Sequence, residues 1–282
     1  MSGHRQLEDR LRAWTSFRGV ARATRTLAAS QALRWGEHVV RAEAHTSWCT
    51  ELRRAYAPVK SAGPTVDVLV AIGSDHGLCG PLNRLVAEAL ASALAARPGL
   101  VVVVGSRVSG YLDLGAAVRL PAPSSAARTR ELSTRIEGLI AARGPLDQAR
   151  VSIVSPTAVR PDGAVTVTSY DIEGLPAKVE LPPAFTSRSP VELSPPALAW
   201  SRASALFLHA ALVEALCRAA RCEAEARWRT MSRAHDAADR RIEEHSLRLR
   251  RLRQEGITQE MLEARQGQGM RWGGGPGGGG RG

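Results

Sequence analysis

Apolar residues recur at alternating steps of four and three near both ends of the chain, whereas the middle switches to short unbroken apolar runs. In the first arm, Gln6 to Ala57, the repeat reads Leu7, Leu11, Trp14, Arg18, Ala21, Arg25, Ala28, Ala32, Trp35, Val39 and Ala42, a helical seam with two basic interruptions. Gly19 and Gly36 each weaken a helix by about 1 kcal/mol relative to Ala, little beside the packing of so long a stripe. Pro58, Gly63 and Pro64 end the arm. The second arm, Ala197 to Gln266, begins after Pro195 and Pro196 and carries Met231, His235, Ala238, Ile242, His245, Leu249, Leu252 and Gly256 without a slip. At 1.5 Å per residue these arms are about 80 and 100 Å long, more than one globular domain can cover, so they must pack on each other as an antiparallel coiled coil. His235 and His245 read as packed helix residues, because no His or carboxylate partner four residues away completes a metal site.

Between the arms the apolar period predicts strands at Val66 to Ile72, Leu100 to Val104 and Val151 to Val154. Helices are predicted at Leu82 to Ala96 and Arg128 to Ala142, with a further helical candidate at Arg107 to Leu112. The Pro161-Asp162-Gly163 turn feeds an edge strand, Ala164 to Tyr170. This alternation implies a small parallel or mixed sheet inserted between the arms. Glu173 to Pro196 is proline-rich and reads as an extended connector, and Gly267 to Gly282 cannot bury a core and reads as disordered. The predicted divisions are 1–60 (first helix), 61–196 (α/β domain with connector), 197–266 (second helix) and 267–282 (Gly-rich tail).

Composition sharpens this outline. Aromatics make up 4% of the residues while Ala, Leu and Arg dominate, which favours thin helical seams over a broad aromatic core. The net charge of +11 is uneven: residues 1–60 hold 11 basic against 5 acidic groups, 61–199 hold 12 against 12, and 200–266 hold 13 against 10. The excess lies on the arms and the tail, which adds two more basic residues, and they therefore favour an acidic partner surface. Cys49, Cys79, Cys217 and Cys222 have neither disulfide-framework nor zinc spacing and point to a reducing compartment. The N-terminal residues carry no apolar signal core, and no run is expected to approach the length needed to span a bilayer.

Gly73-Ser74-Asp75-His76-Gly77-Leu78-Cys79-Gly80 falls between a strand and a helix, where a nucleotide-binding loop could sit. Its spacing matches neither G-x-G-x-x-G nor a Gly-Lys-Ser/Thr loop, and Pro81 removes one N–H donor, so it reads as a tight structural turn.

Read on through Pro81-Leu82-Asn83, that octapeptide resembles the Ser-Asp-Arg-Gly-Leu-Cys-Gly-x-x-Asn signature of the gamma subunit of rotary F-type ATP synthases. Arg10-Leu11-Arg12 and Arg22-Ala23-Thr24-Arg25-Thr26-Leu27-Ala28-Ala29-Ser30 are similar to that family's basic first helix ending in Met-Val-Ala-Ala-Ser. Arg253-Gln254-Glu255-Gly256-Ile257-Thr258-Gln259-Glu260 resembles its Arg-Gln-Ala-x-Ile-Thr-x-Glu. The chain departs from the pattern at His76, where Arg is usual, at Thr26 and Leu27, and at the Gly-rich end. In these departures it looks more like the alternative N-type bacterial branch than the housekeeping synthase.

The resemblance implies an antiparallel left-handed coiled coil of the two terminal helices with an inserted small α/β, Rossmann-like domain. It implies a central-stalk rotor shaft that couples ion flow through a membrane ring to conformational cycling of a catalytic head. The implied partners are the alpha and beta head subunits, the epsilon subunit and the c-ring, with one copy per complex, peripheral to the cytoplasmic face of a bacterial inner membrane. Arg253, Gln254, Thr258 and Gln259 match shaft residues that touch the head, and Arg22 and Arg25 fall in the matching basic stretch of the first helix. Such a subunit has no catalytic, cofactor-binding or metal residue of its own. Two other readings compete: a basic coiled coil that binds nucleic acid, and a small nucleotide-dependent enzyme using Asp75, His76 and Cys79.

Overall fold

The computed structural model describes residues 2–57, 66–172 and 195–272. The elements run α1 (Ser2–Ala55), β1 (Val66–Ile72), α2 (Leu82–Ala96), β2 (Leu100–Val104), β3 (Val118–Leu120), α3 (Ala126–Ala141), β4 (Ala149–Val159), β5 (Val165–Ile172) and α4 (Pro196–Trp272). They divide into two compact units, one of Met1–Ala23 with Ser232–Gly282 and one of Thr24–Met231.

The larger unit is built on a five-stranded sheet of order β3-β2-β1-β4-β5, parallel except for β5. Alternate residues of β1 serve opposite faces. Val68, Val70 and Ile72 pack with Leu132, Ile136 and Ile140 of α3 and with Leu208, Leu212 and Leu216 of α4. Leu69 and Ala71 pack with Leu82, Val86 and Leu90 of α2. Covering both faces explains why β1 is an unbroken apolar run from Val68 to Ile72, and each fully buried Leu or Ile contributes about 1.5–3 kcal/mol.

Within this unit α4 is buried on two sides because it is sandwiched. One side meets the sheet, and the other meets α1, where Ala28, Val39, Ala42 and Cys49 are buried. Arg53 of α1 bonds Ser204, Glu43 bonds Arg218, and Gln31 bonds Arg227, so numbers fall along α1 as they rise along α4 and the pairing is antiparallel. The buried Arg53 guanidinium also lies 5.0 Å from the Trp200 ring centre and 4.9 Å from that of Phe207. Contrary to the expectation that no segment is apolar enough to span a bilayer, α4 contains such an 18-residue window. Just over half of that window is buried, consistent with its role as the helix the sheet and α1 share.

In the smaller unit the ends of α1 and α4 pair antiparallel, with Arg18 Nη1 3.1 Å from Asp239 and Arg253 Nη2 3.3 Å from Glu8. Along α1 every seam residue from Leu7 to Ala42 is buried or half-buried. Along α4 the seam holds from Met231 to Leu249 but not to Gly256: residues 250–265 are all exposed, with Leu252 at 36%. There α1 still reaches α4 through His4 and Glu8 at Arg253, but its residues 2–6 bring no apolar side chain to continue the seam beyond Leu7. His235 does have a carboxylate four residues on, Asp239 at 3.3 Å, which corrects the sequence reading; no group of three metal-ligating side chains forms among the described residues.

Several boundaries also shift. Arg107 to Leu112 holds only a single 3-10 turn, Val108–Gly110, because Val108 must seat against Gly73. Strand β3 was not predicted, its three residues being too few to show a period. Strand β4 runs past Pro156, which sits at a register irregularity opposite β5 and beyond the pairing with β1. Helix α4 continues past Gln266 to Trp272, so the Gly-rich segment begins within a helix that Gly267 and Gly269 weaken but do not stop. The Glu173 to Ser194 stretch of the connector and residues 273–282 of the tail lie outside the described residues.

Candidate functional site

The signature loop lies at the carboxyl end of the central strand β1, where ligands bind in many open α/β sheets. Here its polar groups are satisfied from within. Ser74 N–H donates to Asn83 Oδ1 at 2.9 Å. The two carboxylate oxygens of Asp75 accept from the N–H groups of Ser106 and Ala122, each at 2.7 Å, and so join the segments that follow β2 and β3. Gly73 is required because a Cβ there would lie 2.2 Å from Val108 Cγ2. Gly105, at φ 97°, passes so close to Ser74 that a Cβ would lie 2.5 Å from its nitrogen.

The loop is also tied to the long helices. Ser74 Oγ lies 3.3 Å from Glu223 Oε1, Glu223 pairs with Arg227, and Arg227 reaches Gln31 of α1 at 3.5 Å. A cavity of about 340 Å³ remains beside these groups, lined in part by Trp35, Ser74, Asp75, Ser124, Glu223 and Arg227. Two backbone donors nearby are taken by Asp75, and the one guanidinium on its wall is paired with Glu223.

Nucleophilic chemistry finds no support in this geometry. Cys79 is 2% exposed, and burial pushes its thiol above the usual range, against the smaller opposing pull of Arg227. Asp75 is committed to backbone N–H groups, and His76 points only its backbone into the loop's hydrogen bonds. Asp75, His76 and Cys79 hold a turn together instead of forming a nucleophile and base.

The residues expected to meet partners lie elsewhere, on the long helices. Arg253, Gln254, Thr258 and Gln259 all sit on the exposed end of α4. Gln254, Thr258 and Gln259 line a shallow groove along that helix with Arg251, Glu255 and Leu262. Ile257, Met261 and Leu262 are 56%, 70% and 55% exposed, an apolar element within a basic surface. Thr258 Oγ1 donates back to the Gln254 carbonyl at 2.9 Å, and Gln259 Nε2 to Glu263 at 3.2 Å. Arg22 is exposed and Arg25 half-buried on α1. Arg22 lies fourteen residues from Glu8, about 21 Å of helix, so it does not join the cluster around Arg253.

Two groups that the sequence reading did not single out, His4 and Glu8, contact Arg253 directly. No local signal could have found them, since their nearness depends on how two distant helices are aligned. Many helix arginines are likewise engaged by carboxylates, among them Arg18, Arg41, Arg84, Arg218, Arg221 and Arg241. Each such pairing lowers the positive charge those arginines offer to a phosphate backbone.

Terminal helices that pair antiparallel, a parallel-rich α/β insert and an exposed basic helix end define a protein built on a long helix pair. A family model described as ATP synthase, that of the F1 gamma subunit, matches residues 3–268, and the chain belongs to that family. Solved structures agree in fold. A chain of the Euglena gracilis mitochondrial ATP synthase, from its OSCP/F1/c-ring structure in rotational state 3, is 15% identical with TM-score 0.66, covering 98% of this chain and 97% of that one. A chain of the Euglena gracilis rotor in rotational state 1 is 12% identical with TM-score 0.62, covering 91% and 99%. A chain from the central stalk/c-ring structure of the Tetrahymena thermophila mitochondrial ATP synthase is 18% identical with TM-score 0.56, covering 76% and 99%. No curated protein matches in sequence.

Proposed function

We propose that this chain is the central-stalk shaft of an F-type ATP synthase or ATPase, transmitting rotation between a membrane c-ring and the alpha and beta head subunits. The observation that carries the reading beyond family membership is the end of α4: past Leu249 every residue to Arg265 is exposed, and the helix presents Arg250, Arg251, Gln254, Thr258 and Gln259 to solvent, with Arg253 beside Glu8 of α1. A basic helix end of this kind suits a bearing surface, because exposed ion pairs of about 0–1 kcal/mol each can be made and broken as it turns. An asymmetric shaft that favours a different conformation at each catalytic interface converts torque into differential nucleotide affinity. The chain carries force and leaves the chemistry to the head.

In this proposal Arg253 and Gln254 contact acidic groups of the head, with Thr258 and Gln259 one turn on and Arg22 and Arg25 forming a separate basic contact on α1. Epsilon is a further partner, the complex holds one copy of the chain, and it sits on the cytoplasmic face of a bacterial inner membrane. Family likeness supports these finer assignments. Co-expression with alpha and beta subunits is expected to yield a complex with one copy of this chain per head; recovery only as a monomer or homodimer would overturn the reading. Replacing Arg253 and Gln254 together by Ala is expected to lower ATP turnover more than it lowers assembly.

A further inference from the structure

We propose that Glu8 is a positioning residue that holds the Arg253 guanidinium ready for its partner, an inference that rests on the contact role proposed for Arg253. Four arginines, Arg248, Arg250, Arg251 and Arg253, crowd six residues at the exposed end of α4. Only Arg253 among them bonds a carboxylate across the helix pair within the described residues, its Nη2 lying 3.3 Å from Glu8 Oε1. Its Nε donates to His4 Nε2 at 3.4 Å, so one edge of the guanidinium is held from two points on α1. A His that accepts at Nε2 carries its proton on Nδ1, and His4 Nδ1 faces Glu8 at 3.6 Å, completing a closed set of three groups.

This arrangement leaves the Nη1 donors and one on Nη2 for an acceptor outside the chain. The fork those donors form matches a carboxylate. Leu7, one residue before Glu8, is buried in the seam, as is Leu249, one helical turn before Arg253. The holding carboxylate therefore stands on the last firmly packed turn of the pair, and it reaches an exposed turn of α4 just past the seam. A long flexible cation fixed in this way loses less freedom on meeting its partner than one of its three neighbours would. Glu8 thus selects which arginine of the cluster is presented, and in what orientation.

The test is a thermodynamic cycle in the co-expressed complex with alpha and beta subunits, reading ATP turnover at low and high salt, with assembly followed by gel filtration. Glu8→Gln keeps the shape and removes the charge, and it is expected to lower turnover about twofold to fivefold at low salt, with the difference shrinking at high salt. Glu8→Asp is expected to recover part of the loss. In an Arg253→Ala background Glu8→Gln is expected to have no further effect, because Glu8 acts through Arg253. A full additional loss in that background, or unchanged or raised turnover for Glu8→Gln alone, overturns the positioning role while leaving the Arg253 contact standing. If Arg253→Ala itself leaves turnover unchanged, the contact reading fails, and the inference about Glu8 falls with it.

Discussion

Leu78 adopts φ 65° and is 61% exposed, so a bulky residue sits in the left-handed region with no compensating burial. That conformation costs roughly 1–2 kcal/mol, and the surrounding turn absorbs it through the hydrogen bonds of Ser74, Asp75 and Asn83. Burial has a different consequence at the cysteines. At Cys222 burial, aided by Glu225, pushes the thiol from 9.0 up to about 12. The folded chain then keeps its proton while the unfolded chain releases it. The resulting stability is complete below about pH 9 and is lost as pH climbs through the interval to about 12, with a slope approaching 1.4 kcal/mol per pH unit. Cys222→Ala is expected to flatten this alkaline decline, measured by urea unfolding at a series of pH values. An identical decline in the variant would assign it to other groups.

At the scale of elements, the signature loop acts as a clasp on three strand ends. Asp75 follows β1, Ser106 follows β2, and Ala122 follows β3, so one carboxylate joins three connections that sequence places far apart. Asp75→Ala is expected to cost about 1–3 kcal/mol of stability, with Asp75→Asn closer to wild type because one carbonyl acceptor survives. Equal stability of all three proteins in denaturant titrations would show that water replaces the carboxylate fully. Helix α4 shows how one element serves two cores. Its Ala-rich middle admits both the sheet and α1, and its residues past the seam, 250–265, are exposed.

At the scale of the whole molecule, the chain belongs to a family in which we propose that helix faces are its working surfaces. The smaller unit supplies the exposed basic end, and the larger unit supplies a sheet domain with its own apolar core. Deleting residues 267–282 is expected to leave assembly with alpha and beta subunits largely intact, since a segment so rich in Gly brings little apolar area to any interface. Loss of the complex on this truncation, read by gel filtration, would give the segment a direct part in assembly.

Periodicity was enough to find α2, β1 and β2 to the residue, because each is bounded by a Gly or Pro and buries a continuous face. It also placed both long helices and the seam residues from Leu7 to Ala42, since a repeat near 3.5 can be satisfied only by a facing helix. Motif spacing was enough to point to the family. The sequence could not show that the Met231 seam stops at Leu249, that Asp75 closes the strand ends, or that Glu8 and His4 reach Arg253. Each of these depends on the alignment of segments separated by tens to hundreds of residues. Local propensity carries no term for such an alignment; only the packed chain determines which polar groups meet.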